Sequence, residues 1–122
     1  MKLGDAFRWG QPPKIKVQHL FFVISDPTLH GGTFVVVNIT KDHIRAGRDC
    51  ILQVGDHPWI TGESFVSFRD ARLITPSEEI SLSALIGTQV IIEQALDSAV
   101  LARIVQAAKV TRSLAPVFKQ YL

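Results

Sequence analysis

The sequence has very little cysteine: Cys50 stands alone, so no disulfide can form within the chain. It also lacks the cysteine and histidine spacing of a zinc site, and no two of its four histidines have metal-ligand spacing on one predicted element. We therefore expect no metal centre and no cofactor. An apolar core has to hold such a fold together.

Long apolar runs are missing as well. The longest runs, such as residues 20–24, are far too short to span a bilayer. Residues 1–10 have no apolar segment of signal-peptide length, and Gly31-Gly32 lacks the lysine and helix that follow in a phosphate-binding loop. We expect a cytoplasmic protein that has no membrane contact.

An excess of charge of either sign is the third feature that the chain lacks. Its 122 residues carry a net charge of only +2, with 47 % apolar and 20 % charged residues. This composition predicts one globular domain over residues 1–122. The slight positive charge is compatible with a nucleic-acid partner but does not require one.

Short stretches rich in β-branched and aromatic residues occupy the first two thirds of the chain, and they predict strands. The connections between them are too short for helical crossovers, so we expect a mainly antiparallel barrel over about residues 3–75. The predicted strands are residues 3–9, 17–25, 33–40, 50–54 and 64–68, the last continued or followed by 71–74.

The remainder, about residues 76–122, is predicted to be helical. A capping box at residues 75–78, with proline at the first helical position, predicts a short helix from 76 towards 86. Residues 88–95 fit a strand and a helix equally well.

A second helix is predicted by apolar residues that recur at helical spacing from Val100 to Ala108. Asp97 or Ser98 supplies its N-cap, and the helix is expected to continue through about Thr111. We expect the apolar residues of the C-terminal tail, residues 113–122, to dock on the barrel or on a partner.

Four short motifs stand in order along the chain. They are Gly4-Asp5 at the first strand, FFVIS at 21–25, VVVNIT at 35–40 and SFVSFRDA at 64–71. In this order and spacing they resemble the PemK/MazF family of ribonuclease toxins. The resemblance implies a small SH3-like antiparallel barrel with a C-terminal helix. It also implies a homodimer that cleaves single-stranded RNA without metal and is inhibited by an antitoxin protein.

The resemblance assigns catalytic roles as well. Thr40 matches the family's catalytic threonine or serine, and Asn38 stands where the family has proline. The family's loop before the second strand carries an arginine that stabilises the phosphate. Here Lys14 and Lys16 occupy that loop, and they supply charge without the bidentate fork of a guanidinium.

Two histidines are judged from their surroundings. His57 lies in a turn before a proline and is a candidate acid–base residue, because imidazole changes protonation near neutral pH. A turn histidine that bonds to local backbone is the alternative. His19 lies within an apolar strand, and we expect it to be packed inside the barrel.

RNA contacts are predicted for the basic stretch at residues 41–49. Lys41, Arg45 and Arg48 would clamp a single-stranded backbone, and Trp59 or Phe65 would offer a stacking face. Ser64 begins a strand near the expected cleft. A solvated basic loop is the alternative interpretation. A non-catalytic SH3-like module that binds nucleic acid or a protein partner fits the same features.

Overall fold

The computed structural model describes residues 1–10 and 18–122, and within them the chain forms six strands, four α-helices and one 3₁₀ helix. The strands are β1 (Ala6–Gly10), β2 (Gln18–Val23), β3 (Phe34–Thr40), β4 (Ile51–Leu52), β5 (Ser64–Ile74) and β6 (Val90–Glu93). The α-helices are α1 (His43–Ala46), α2 (Pro76–Ser83), α3 (Ser98–Val110) and α4 (Pro116–Lys119), and the 3₁₀ helix is Pro27–Leu29.

All six strands join one sheet in the order β4-β5-β3-β2-β1-β6, and every neighbouring pair is antiparallel. The sheet curls into a half-barrel, which confirms the expectation of a mainly β, antiparallel fold. The ambiguous segment 88–95 contributes β6, which pairs with β1. β4 and β6 form the two outer edges of the sheet in the described part of the chain.

The two faces of the sheet carry separate apolar layers. Because side chains alternate along a strand, Leu20 and Phe22 point to one face and Phe21 and Val23 to the other. The inner layer packs against α3 and includes Leu20, Phe22, Val37, Phe68, Val100 and Ile104. The outer layer packs against α2 and includes Phe7, Phe21, Val23, Val36, Ile74 and Leu82.

β5 is irregular where it pairs with β3. Asn38 pairs with Ser67 while Val36 pairs with Arg72, so residues 68–71 stand opposite the single residue Val37. Such a bulge bends the strand and redirects its side chains. The predicted segments 64–68 and 71–74 are thus one strand, interrupted at this bulge.

The helix predictions agree with the structure at their N-termini. α2 begins with the predicted capping box, in which Thr75 Oγ1 accepts from Glu78 N at 3.3 Å. It ends at Ser83, three residues before the predicted limit. α3 has Asp97 as N-cap and ends one residue before Thr111. Among the described residues, no helix has the length and apolar character needed to cross a membrane.

The basic stretch 41–49, expected to be a loop, contains the single turn of α1. Asp42 initiates this turn by accepting from the amides of Ile44 and Arg45 at 3.1 and 3.2 Å. Gly47, with φ of +75°, ends it. The prediction missed this helix because four residues are too few to show helical periodicity.

Candidate functional site

The outer face of the sheet is covered by α2 at one end and open at the other. Phe21 of β2 pairs with Asn38 of β3. Two residues further along each strand, towards the open end, lie His19 and Thr40. Since side chains two residues apart share a face, all four of these residues belong to the outer face.

Two adjoining cavities occupy this open end. The first, here the Thr40 cavity, has a volume of about 520 Å³. Apolar residues such as Ile39, Pro58 and Ile60 form part of its wall. Its remaining lining includes His19, Thr40, Lys41, Trp59, Thr61 and Ser64.

The second, here the Asn38 cavity, has a volume of about 460 Å³ and shares His19 and Thr40 with the first. Its other lining residues are Phe21, Asn38, Arg45, Asp70 and Arg72. The two cavities together therefore form one cleft at the open end of the outer face, mainly apolar in the Thr40 cavity and more polar in the Asn38 cavity, with His19 and Thr40 where they meet.

Thr40 closes β3 and is partly exposed at this junction. Its Oγ1 accepts a hydrogen bond from Asp42 N at 3.1 Å, the local backbone contact expected of a strand-ending threonine. A hydroxyl that accepts still has its own proton to donate. Thr40 is thus held in a fixed position and retains the capacity to donate to a ligand.

His19 lies in the cleft and not in the barrel, so the expectation that it is packed inside is wrong. Its side chain is exposed and makes no hydrogen bond to any described residue. Strand alternation explains the position, because the inward-facing residues of β2 are Leu20 and Phe22. His19 is the histidine available for chemistry in the cleft.

His57 has a different environment. Only 3 % of it is exposed, its Nε2 lies 2.7 Å from the carbonyl oxygen of Gln94, and its Nδ1 accepts from Trp59 N at 3.0 Å. With an acceptor at Nδ1, the ring carries its proton on Nε2 and donates it to Gln94. Both nitrogens are thus engaged in linking a loop to the segment after β6. The ring lines a separate cavity with Asp56 and Gln94 and not the Thr40 cavity.

The three predicted cationic contacts are distributed around the cleft. Lys41 lines the Thr40 cavity, with Nζ 3.3 Å from Thr61 Oγ1. Arg45 lines the Asn38 cavity. Arg48 lines neither of these two cavities; its guanidinium lies over the Phe65 ring at 5.3 Å and 4.0 Å from Glu63. Two of the three cations therefore face the cleft.

Trp59 and Ser64 both line the Thr40 cavity, as their predicted RNA contact requires. The indole is 39 % exposed, and the Arg8 guanidinium lies 5.5 Å from its ring centre. Ser64 is buried and its hydroxyl donates to the Gly62 carbonyl at 2.9 Å. Trp59 thus presents a surface to a ligand, whereas Ser64 shapes the wall.

Lys14 and Lys16, predicted to bind phosphate, lie outside the described residues. Gln18, the first residue described after them, lines the Thr40 cavity, and its Oε1 accepts from Arg8 Nη1 at 3.0 Å. Their roles stay predictions.

The β5 bulge brings a carboxylate into the Asn38 cavity. Asp70 accepts two bonds from Arg45, at 3.1 and 2.9 Å, and one from Ser67 Oγ at 2.6 Å. Partial burial by itself raises the pKa of the Asp70 carboxyl, but the hydrogen bonds from Arg45 and Ser67 outweigh it and hold the pKa below its usual value. The carboxylate in turn fixes the direction of the Arg45 guanidinium.

We predict that Asp70→Asn destabilises the protein by about 1 kcal/mol near neutral pH. This is below the usual range for charged hydrogen bonds, since solvent screens the pair. A carboxyl whose pKa is lowered by folding stabilises the protein above its unfolded pKa of about 4, and this stabilisation is lost as pH falls through the folded value. Urea unfolding at about pH 7 and about pH 3 should therefore show a larger difference from wild type at the higher pH.

The control is a double-mutant cycle with Arg45→Gln, which isolates the coupling of the two side chains. If Asp70→Asn costs as much in the Arg45→Gln background as in the wild type, the proposed pairing does not contribute to stability.

Four residues that line the cleft carry no sequence pattern to which a site role was attached: His19, Asn38, Asp70 and Arg72. Alternation around Leu20 and Phe22 is a signal that would have placed His19 on the outer face. No comparable signal exists for Asp70, because its position depends on the bulge. In residues 1–10 and 18–122, no group of three or more histidine, cysteine, aspartate or glutamate side chains is arranged to hold a metal ion.

The fold and the cleft define a mainly β protein with a partly cationic groove, apolar in one part and polar in the other, at the open end of a half-barrel sheet. Comparison with protein-family models gives no match, and comparison with curated proteins gives no significant match. The likeness to the PemK/MazF family therefore rests on the four sequence motifs alone.

Proposed function

We propose that this protein is a metal-independent endoribonuclease of the PemK/MazF toxin type, built on an SH3-like barrel, that cleaves single-stranded RNA in the outer-face cleft. The observation that carries the proposal is the position of His19 and Thr40, which line both adjoining cavities. An acid–base group and a hydroxyl donor are the elements that metal-free cleavage of RNA requires.

The proposed reaction uses the ribose 2′-hydroxyl as nucleophile. His19 takes the 2′-OH proton as the oxygen attacks phosphorus, and the bond from phosphorus to the 5′ oxygen breaks. The imidazolium then returns the proton to the 5′ oxygen, leaving a 2′,3′-cyclic phosphate and a 5′-hydroxyl. This step needs no co-reactant, because the proton taken from one oxygen is given to the other.

The negative charge that develops on the phosphate has two sources of stabilisation in the proposal. Thr40 donates its hydroxyl proton to a non-bridging oxygen, and Lys41 supplies positive charge from the rim of the same cavity. Trp59 offers an indole face on which a neighbouring base stacks, as is common in single-strand binding. Lys14 and Lys16 belong to the proposal through the motif resemblance only.

We predict that Thr40→Val slows cleavage of an unstructured RNA about 10²-fold, the usual cost of removing one donor to a developing oxyanion. Valine keeps the shape of threonine but has no hydroxyl. Thr40→Ser keeps the hydroxyl and should retain most of the activity. The assay follows a fluorescent oligonucleotide in the presence of EDTA, with unfolding curves to correct for the lost Asp42 contact.

Growth on induced expression gives an independent readout of the same proposal. Wild-type protein and Thr40→Ser should arrest growth, and Thr40→Val should be tolerated. Equal tolerance of all three, together with intact RNA in the EDTA assay, would exclude the nuclease.

A non-catalytic binding module is the second candidate, and one observation favours it. Thr40 Oγ1 already has the local backbone contact that explains a threonine at a strand end without any catalysis. The module would bind RNA in the same cleft through Trp59 and Lys41. RNA binding that Trp59→Ala weakens, without any cleavage product, would select this candidate.

A homodimer and an inhibitory antitoxin protein are the partners that accompany the toxin proposal. Both come from the motif resemblance. Sedimentation of the purified protein tests the dimer, and a neighbouring reading frame that suppresses toxicity when co-expressed tests the antitoxin.

A further inference from the structure

Asn38 is an exception among the polar residues of the sheet. It sits in a strand between Val37 and Ile39, where its poor strand propensity is a disadvantage. Only 9 % of the residue is exposed, and its Oδ1 has no hydrogen-bond partner among the described residues and almost no contact with solvent. A buried polar atom without a partner is costly, so its presence in a cavity wall points to a ligand that supplies the missing donor.

A second residue with an acceptor lines the same cavity as Asn38. Asn38 pairs across the sheet with Ser67, and directly opposed side chains in an antiparallel pair are about 5 Å apart at Cβ. Ser67 in turn donates to Asp70 Oδ2 at 2.6 Å. Asn38 and Asp70, each with a side-chain oxygen that is able to accept, therefore both line this cavity.

The Arg45 guanidinium is a charged donor that lines the same cavity as these acceptors. Arg45 directs Nε and Nη2 at Asp70, and its Nη1 makes no hydrogen bond to a described residue. The Asn38 cavity thus combines the acceptors of Asn38 and Asp70 with two arginines, Arg45 and Arg72, of which Arg45 has Nη1 available. The lowered pKa of the Asp70 carboxyl keeps this acceptor ionised at neutral pH.

Among the four RNA bases, only guanine has two neighbouring donors on one edge, N1–H and the 2-amino group, beside an acceptor, O6. Adenine, cytosine and uracil each have a single donor group on that edge. We propose that the Asn38 cavity is a guanine subsite, in which Asn38 and Asp70 accept from N1–H and the 2-amino group and Arg45 donates to O6. This assignment rests on the RNA substrate proposed above and adds the base that the cleft selects.

Mononucleotides test the subsite separately from cleavage. Guanosine, inosine and adenosine 5′-monophosphates are titrated into the ¹⁵N-labelled protein, and amide shifts at β2, β3 and β5 report the affinity. Inosine monophosphate keeps N1–H and O6 but lacks the 2-amino group. We expect it to bind about tenfold more weakly than the guanosine nucleotide, and adenosine monophosphate to bind more weakly still.

Two variants identify the side chain responsible. Asn38→Val should reduce guanosine monophosphate binding to the level of adenosine monophosphate. Its thermal midpoint should equal or exceed that of the wild type, because a buried oxygen that lacks a donor is removed from an apolar strand. Asn38→Asp keeps an acceptor in place and should retain the preference for guanine. A merely structural asparagine would instead show a lowered midpoint and unchanged selectivity.

The outcomes for the subsite and for the nuclease are distinct. Selective guanosine monophosphate binding without RNA cleavage would support the subsite and exclude the nuclease. Cleavage in EDTA with no preference for guanine, together with equal binding of the guanosine and adenosine nucleotides, would overturn the subsite and leave the nuclease. Failure of all three nucleotides to bind would also overturn the subsite.

Discussion

The variant His19→Ala is expected to cleave single-stranded RNA about 10²- to 10⁴-fold more slowly than the wild type, the usual contribution of a positioned acid–base group. His19 lines both cavities of the cleft and makes no hydrogen bond to a described residue, so its imidazole is available to a ligand. For the same reasons its removal should leave the free energy of unfolding nearly unchanged. Cleavage rates in EDTA and urea unfolding curves, measured on the same preparation, check the two expectations.

His30→Ala is the matched control. His30 lies beyond the 3₁₀ helix, where its ring contacts Tyr121 with 4.9 Å between centroids, and it lines neither cavity of the cleft. This variant should cleave at the wild-type rate. A His19→Ala protein that is folded and keeps its activity within about threefold would remove the catalytic role proposed for His19.

Much of the sheet could be predicted because its strands are locally distinctive. β2 and β3 are rich in β-branched and aromatic residues between turn signals, and both are found within two residues of their predicted limits. The capping box of α2 and the apolar stripe of α3 are equally local signals. Each of these elements is determined by residues that are neighbours in sequence, so a single sequence contains the necessary information.

The cleft depends on relations that are not local. His19 and Thr40 face the same cavities because of the register of β2 against β3. Asp70 reaches Arg45 because three extra residues of β5 bulge out between its two paired segments. Register and bulges follow from the packing of the whole sheet, and a one-residue shift would move every side chain to the other face.

The misjudged position of His19 has a specific physical cause. The run Leu20–Ile24 is buried on both faces, on the inner side by α3 and on the outer side by α2. A strand covered on both sides has a continuous apolar sequence, which suggests that its neighbours are buried too. The cover on the outer face stops before His19, and the sequence of β2 does not reveal where α2 will pack.

The second large effect is expected at His57, whose replacement tests a structural role. We predict that His57→Ala lowers the free energy of unfolding by about 3 kcal/mol, which corresponds to a fall of about 10 °C in the unfolding midpoint. Nε2 of the buried ring lies 2.7 Å from the Gln94 carbonyl oxygen, and Nδ1 accepts from Trp59 N at 3.0 Å. The centre of the ring lies 5.7 Å from the centre of the Phe22 ring. Removal of the imidazole leaves a cavity and two unpaired backbone groups.

The conservative variant His57→Asn separates structure from catalysis. An asparagine oxygen is able to accept from the amide two residues further on, so the Trp59 contact is retained while the contact to Gln94 is lost. We expect this variant to recover part of the lost stability and to cleave RNA at the wild-type rate per folded molecule. A folded His57→Asn protein with activity reduced 10²-fold or more would instead identify His57 as the acid–base residue, because its backbone contact would be preserved while the imidazole is absent.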